Sequence, residues 1–249
     1  MIKSEIRNNN GIIYFNRPEK RNALNPEMIS LLKAKLGEFR NDNSIKTVIF
    51  TGEGNSFCAG ADLSYLNELR DYSSIKNEED TETLADLFLM IYDFPKPVIA
   101  AVNGPAIAGG CGIASACDFI FADRTNSRFG YSEVKIGFIP AVVSIFLIKK
   151  IGEGKAKQLL LTGEIIYAEK ALQVGLVDYL SDNVLVDSLA FAEKLNENSA
   201  YSTVLTKELL HNISNMKVHD AVNYCIRLNV ISRSTVDFNK GISKFLNKD

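Results

Sequence analysis

Residues 97–122 constrain this chain more than any other stretch. The run is the most apolar in the sequence, and on length alone it could cross a bilayer. Its interruptions argue for a different structure. Asn103, Pro105, Gly109, Gly110, Gly112 and Asp118 divide it into an apolar strand over 97–102, a glycine-rich turn, a short helix and a second strand over 119–122. Strands that are apolar throughout, with no in–out alternation, belong to a sheet covered on both faces. Two earlier runs read the same way: 12–15, stopped by Asn16-Arg17-Pro18, and 46–51, stopped by Gly52 and Gly54. Between them, Asn25-Pro26 supplies an N-cap and a proline at the first helical position. Met28, Leu31, Leu32, Leu36 and Phe39 follow near helical spacing, which predicts a helix to about Arg40.

Past residue 141 the strand signals mostly stop, and helical segments follow one another with breaks at Gly152, Gly163, Gly175 and Ser199. A brief extended piece is expected over 177–180, and helices over 184–196, 201–211 and 218–233. Strands separated by helices, then helices alone, predict an α/β fold of ββα or βαβ units with a helical C-terminal region. The 28 basic and 30 acidic residues leave a net charge of −2 and no long Lys/Arg run, which excludes a nucleic-acid partner. The polar first ten residues lack the apolar core of a signal peptide, and no membrane association is expected. With unpaired cysteines this points to a reducing, cytoplasmic setting. His211 and His219 stand in no H-x-E or H-E-x-x-H context, and Cys58, Cys111, Cys117 and Cys225 form no C-x-x-C pair, so no metal site is expected. Any catalysis must then rest on carboxylates and backbone dipoles.

Two glycine-containing turns follow apolar strands, over 57–63 and 103–112. Each places backbone N–H groups where a strand ends and a helix begins, and the helix dipole adds positive potential there. Two such donors aimed at one point make an oxyanion hole, which stabilises charge developing on an acyl oxygen. Each turn taken alone fits a packing device equally well. Gly109-Gly110-x-Gly112 is not a G-x-G-x-x-G fingerprint, and no G-K-[ST] follows it. The acidic cluster Glu78, Glu79, Asp80, Glu82 and Asp86 reads as a solvated helix face. Cys58 and Cys111 read as small buried apolar groups. Asp118 reads as a turn or partner-bonded residue, and the two histidines as surface or interface residues.

Several motifs stand in order over nearly the whole chain. They are Asn16-Arg17-Pro18 with Asn22-Ala23-Leu24, Ala59-Gly60-Ala61-Asp62-Leu63, the apolar strand ending in Asn103-Gly104, Ala108-Gly109-Gly110, and Phe129-Gly130 ahead of Glu133. Leu161-Thr162-Gly163, Gly175-Leu176-Val177 and a closing 241–246 segment complete the series. Together they resemble the crotonase (enoyl-CoA hydratase/isomerase) superfamily. The resemblance implies a spiral of ββα units in a core over 1–195, carrying the coenzyme A and catalytic sites. It further implies a helical oligomerisation region over 196–249 that builds a homotrimer or a dimer of trimers. By the same resemblance, the N–H groups of Ala61 and Gly109 polarise a thioester carbonyl. The backbone near Ala23, Ala59 and Leu63 holds the adenine end of coenzyme A, Lys20 or Arg21 faces its phosphates, and Asp62 stands in this binding segment while capping the helix that starts there. The coenzyme A thioester is then the substrate, and no separate cofactor is implied.

Family hydratases commonly carry two glutamates, one three residues after the oxyanion glycine and one after the Phe-Gly signature. Here Gly112 occupies the first position and Glu133 the second. Burial in an acyl pocket beside Val134, Ile136, Phe138 and Ile139 is expected to raise the Glu133 pKa. The segment over 132–144, with Ala141-Val142-Val143-Ser144 after Pro140, is similar to a bacterial methylglutaconyl-CoA and isohexenylglutaconyl-CoA hydratase-like branch, where glycine also stands at the first position. The resemblance therefore implies hydration of a 2-enoyl-CoA whose acyl group is branched or carboxylated. A substrate carboxylate, an ordered water, Tyr131 or Ser144 would stand in for the missing group. Two alternatives remain: a Δ3,Δ2-enoyl-CoA isomerase, in which one glutamate carries one proton from C2 to C4, and a non-catalytic acyl-CoA-binding scaffold.

Overall fold

The computed structural model describes residues 1–246, apart from the Phe245 side chain; residues 247–249, the end of the expected oligomerisation region, lie outside the described residues. The strands are β1 (Ile2–Arg7), β2 (Asn10–Phe15), β3 (Thr47–Gly52), β4 (Val98–Val102), β5 (Ala106–Ile107), β6 (Phe119–Asp123), β7 (Arg128–Gly130), β8 (Ile165–Tyr167) and β9 (Tyr179–Ser181). The α-helices are α1 (Pro26–Asn41), α2 (Leu63–Glu68), α3 (Ser74–Tyr92), α4 (Gly109–Ala116), α5 (Ala141–Ile151), α6 (Glu153–Thr162), α7 (Ala168–Val174), α8 (Val184–Asn196), α9 (Ala200–Ile213), α10 (Val218–Arg233) and α11 (Val236–Leu246).

A six-stranded sheet runs in the order β1-β2-β3-β4-β6-β9, and β5-β7-β8 form a second, smaller sheet. Beyond the antiparallel β1–β2 pair, every pairing in the large sheet is parallel, so each return passes through helices. The continuous apolar runs have the predicted meaning. Val48, Phe50, Val98, Ala100 and Val102 join the main core with α1 and α3, whereas Ile12, Ile49, Ile99 and Ala101 face Val184, Leu189 and Ala192 of α8. Asn196 at the end of α8 pins that cover, donating to Asn10 and accepting from the Thr47 hydroxyl, both at 2.8 Å.

Helix α1 begins as read: the Asn25 side chain accepts the Met28 N–H at 2.9 Å, with Pro26 in the first turn. Its buried stripe is Met28, Ile29, Leu32, Leu36 and Phe39, while Leu31 faces outward. Strand β1 was not expected. It is an edge strand whose side chains stand largely in solvent, so the backbone ladder to β2 holds it and no apolar pattern announces it. Among the described residues no helix is long and apolar enough to cross a membrane. Helices α9 and α10 bury no residue, and Val218, Val222, Ile226 and Val230 leave an apolar stripe of α10 in solvent.

Candidate active site

Three loops meet beyond the C-terminal ends of β2, β3 and β4, and buried Asn22 ties the first two together. Its side chain accepts the Arg17 N–H at 2.8 Å and donates to the carbonyls of Glu53 and Ser56 at 2.9 and 2.7 Å. The chain then pairs briefly with the segment after β3, with Leu24 N–H donating to Gly60 and Asp62 N–H donating to Leu24 at 2.7 and 2.8 Å. Alternation along extended backbone turns the Ala61 N–H away from that pairing. The second turn is set by Ile107 N–H donating to Cys58 at 2.9 Å and Ala108 N–H donating to Gly130 at 2.7 Å. Gly109 is the first residue of α4, where helix geometry supplies no acceptor for its N–H. Neither the Ala61 nor the Gly109 N–H donates to a protein acceptor among the described residues.

The two turns touch. A Cβ on Gly60 (φ +86°) would lie 2.9 Å from the Ala108 Cβ and 3.5 Å from the Gly109 nitrogen. Ala108, a non-glycine residue, is held at φ 50° and ψ −120°, a sparsely populated conformation that costs on the order of 1–3 kcal/mol and persists only where its surroundings impose it. Ala61 and Gly109 line one cavity of about 260 Å³, together with Ala59, Leu63, Ser132 and Glu133. That size suits an acyl group better than a whole coenzyme.

Glu133 opens a short 3₁₀ turn over Glu133–Ile136 and is 8% exposed, and its Oε2 has no hydrogen-bond partner among the described residues. Burial raises its pKa above the ordinary glutamate value. The expected apolar neighbours are only partly right. Ile136, Phe138 and Ile139 do line the cavity, but at its exposed rim, and Val134 packs instead against Gly163. Gly112 has no room for a side chain: a Cβ there would lie 2.3 Å from Val143 Cγ1 and 3.2 Å from the Phe88 ring. Apolar groups thus fill the space of the first glutamate. Neither suggested replacement reaches the cavity. Tyr131 is fully buried with its hydroxyl 2.7 Å from that of Ser115, and the Ser144 hydroxyl donates to the Ala141 carbonyl.

The expected coenzyme segment divides. Ala59 and Leu63 line the cavity, Leu63 at its mouth and 79% exposed. Lys20 and Arg21 stand exposed on the turn before Asn22, and their side chains bond to no acceptor among the described residues. Ala23 lies outside the cavity, and its carbonyl accepts from Arg17 at 2.9 Å. Asp62 is committed within the protein, because its carboxylate accepts the Ser64 N–H as the N-cap of α2 and pairs with Arg17, both at 2.9 Å. Burial opposes its charge, but the Ser64 N–H and the Arg17 guanidinium outweigh it and hold the carboxyl below its ordinary value. Asp62 therefore positions the turn and caps α2, as the sequence reading expected of it.

Asp80 corrects the reading of the acidic cluster as a solvated face. It belongs to α3 and lines the cavity, where its carboxylate accepts the Tyr65 hydroxyl. The acidic run hid it, although its spacing of four and eight residues from Leu84 and Phe88 was a usable signal. Cys58 and Cys111 are fully buried beside the turns, and burial pushes both thiols up to about 12, which removes them as nucleophiles. Asp118 is partner-bonded, accepting the Val98 N–H and Lys207, both at 2.7 Å. His211 stacks on Tyr92 away from the cavity.

Comparison with known proteins agrees with this geometry. Residues 5–249 match the family model described as "Enoyl-CoA hydratase/isomerase". A Thermus thermophilus protein, provisionally designated an enoyl-CoA hydratase, is 41% identical over 95% of this chain and 94% of its own length. The 2,3-dehydroadipyl-CoA hydratase of Escherichia coli is 34% identical over 95% of this chain and 92% of its own. Among solved structures, an enoyl-CoA hydratase from a Polaromonas species superposes with a TM-score of 0.94 at 32% identity, covering 99% of this chain and 97% of that one. With Ala61, Gly109 and buried Glu133 lining one cavity, and a family match and relatives that span nearly the whole chain, this chain is a member of the enoyl-CoA hydratase/isomerase family.

Proposed function

We propose that this enzyme adds water across the C2–C3 double bond of a 2-enoyl-CoA thioester, with Ala61 and Gly109 as oxyanion donors and Glu133 as the proton carrier. The observation that carries this reading is that Ala61 and Gly109, whose N–H groups donate to no protein acceptor among the described residues, line the same cavity as buried Glu133. The thioester oxygen accepts from the two N–H groups. Water attacks C3 as the Glu133 carboxylate takes its proton, the π electrons move onto the oxygen, and Glu133 returns the proton to C2. One O–C3 and one H–C2 bond form, the C2–C3 π bond and one O–H bond of the water break, the enolate pair returns to restore the thioester carbonyl, and the glutamate is regenerated. Each oxyanion donor contributes about 3–4 kcal/mol to the enolate-like transition state. Because a single carboxylate handles the proton, water adds to one face, and hydration in D₂O places deuterium and hydroxyl syn.

The relatives' names support hydration over isomerisation. The filled position at Gly112 supports the second reading, a Δ3,Δ2-isomerase, because that reaction needs one carboxylate only. Crotonyl-CoA and a 3-enoyl-CoA, followed by conjugated enoyl-thioester absorbance, separate the two. Loss of absorbance with crotonyl-CoA is expected. A gain with the 3-enoyl substrate alone would favour the isomerase, and silence with both would favour a scaffold. Of the branched and carboxylated acyl classes, the largely apolar lining favours the branched one. The exposure of Lys20 and Arg21, with the Ala59 N–H donating to the Arg21 carbonyl, supports their contact with the coenzyme phosphates. The unburied stripe of α10 supports assembly of the chain as a homotrimer or dimer of trimers through its C-terminal helices.

A further inference from the structure

Asp80, Leu84 and Phe88 lie four residues apart on one face of α3, and all three line the cavity. At 1.5 Å per residue, Asp80 stands about 12 Å along the helix from Phe88. Phe88 abuts the Gly112 position beside the oxyanion turn, so Asp80 is remote from the reacting carbons and sits along the path of the acyl tail. Its partner Tyr65 comes from α2 and donates its hydroxyl proton to the Asp80 carboxylate. Once that proton is committed, the pair offers the cavity only acceptor lone pairs.

None of the described residues lining the cavity is Lys, Arg or His. The cation nearest in sequence on this side of α3, Lys76, lies one turn before Asp80 and places its ammonium over the Tyr72 ring at 3.6 Å, outside the lining. Glu133 is the other carboxylate of the cavity. A tail ending in a carboxylate would bring a third negative group beside Asp80, in an apolar pocket, with no counter-charge. Burying an unpaired charge is unfavourable, and a like charge nearby makes it more so.

We propose that the Asp80 carboxylate, which accepts the Tyr65 hydroxyl, determines acyl specificity: it admits thioesters whose tails end uncharged and rejects those ending in a carboxylate. A tail hydroxyl finds an acceptor there, and a plain alkyl tail packs on Leu84 and the α2 leucines. This places the enzyme apart from hydratases of dicarboxylic thioesters, even though a relative named for such a substrate is 34% identical. The inference rests on the reading above that the cavity holds the acyl group.

Binding of two saturated thioesters of equal length, hexanoyl-CoA and adipyl-CoA, tests it without requiring turnover. By titration calorimetry the wild-type protein is expected to bind hexanoyl-CoA at least about tenfold more tightly than adipyl-CoA, a difference of ~1.4 kcal/mol. Asp80→Asn should bring the ratio to within about threefold, and Tyr65→Phe, which keeps the charge, should preserve the preference. Equal or tighter binding of adipyl-CoA by the wild type, or an unaltered ratio in Asp80→Asn, overturns the proposal, as does absence of binding by both thioesters. Hydration of 2-hexenoyl-CoA, measured in parallel, keeps the two claims apart. A selective binder without turnover contradicts the hydratase reading alone, and turnover with a flat ratio contradicts the specificity claim alone.

Discussion

The two walls of the cavity are built from different materials. One wall is backbone: the turns carrying Ala61 and Gly109, clamped by Asn22, by the pairing with Leu24 and by buried Cys58 and Cys111, with Glu133 set into it. The other is side chain: Leu63, Tyr65 and Leu66 of α2, Asp80 and Leu84 of α3, and the exposed rim at Ile136 and Phe138. The first wall contacts the core at every step, so few substitutions fit there. The second faces solvent and tolerates change. Reaction type is therefore held by main-chain groups that substitution hardly reaches, and substrate choice by residues that can be exchanged singly.

Breaking the first wall should have the largest effects. Glu133→Gln removes the proton carrier and should lower kcat by about 10²–10⁴ with the fold intact; near-normal turnover would remove Glu133 from the mechanism. The same residue sets a pH signature. Its native pKa is raised by burial, so its contribution to stability is present below the ordinary glutamate value of 4.5 and is lost as pH rises through the native value. Urea titrations across that window should show wild-type stability declining relative to Glu133→Gln. The acid limb of kcat/KM should lie above 4.5, since the base form is required.

Gly109→Pro deletes a donor that α4 does not use and should cost about 10²–10³ in kcat; because a following proline disfavours the Ala108 backbone at φ 50° and ψ −120°, retained helical content is the check that the loss comes from the donor. Gly112→Glu, which restores the glutamate of two-carboxylate hydratases, should destabilise the protein by about 3 kcal/mol or more, because its Cβ meets Val143 at 2.3 Å. Adding Val143→Ala should recover part of that loss in thermal unfolding, and failure to do so would place the obstruction elsewhere. On the second wall, Leu63→Ala alters a side chain 79% exposed and should change stability by no more than about 0.5 kcal/mol. Its effect should appear in KM and leave kcat nearly intact. A hundredfold fall in kcat would erase the distinction between the walls.

Much of this was legible along the chain. The apolar runs became strands covered on both faces, Asn25 capped α1, and α8 and α10 kept their expected bounds. In each case the signal lies within a few residues of what it specifies. Strand β1 escaped notice because an edge strand needs only its partner's backbone. Asp80 escaped because acidic neighbours on α3 share its composition, and only the packing of α3 against α2 selects which of them turns inward. Helices α8 and α10 both carry apolar stripes, yet one covers the sheet and the other stands in solvent.

The sequence by itself determined the buried strands of the large sheet, helices α1, α8 and α10, the two glycine turns, and the presence of one glutamate where related hydratases have two. Those features follow from local backbone preference and from motifs read in series. Only the tertiary structure decided that, among the described residues, the Ala61 and Gly109 N–H groups find no acceptor and the buried Glu133 Oε2 no partner, and that Val143 and Phe88 occupy the vacant glutamate position. Such outcomes depend on residues distant in the chain meeting at van der Waals contact, as Leu24 meets Gly60 and Gly112 meets Val143. Whether a polar group is satisfied or a cavity filled is a property of that meeting, and no segment of the chain contains it alone.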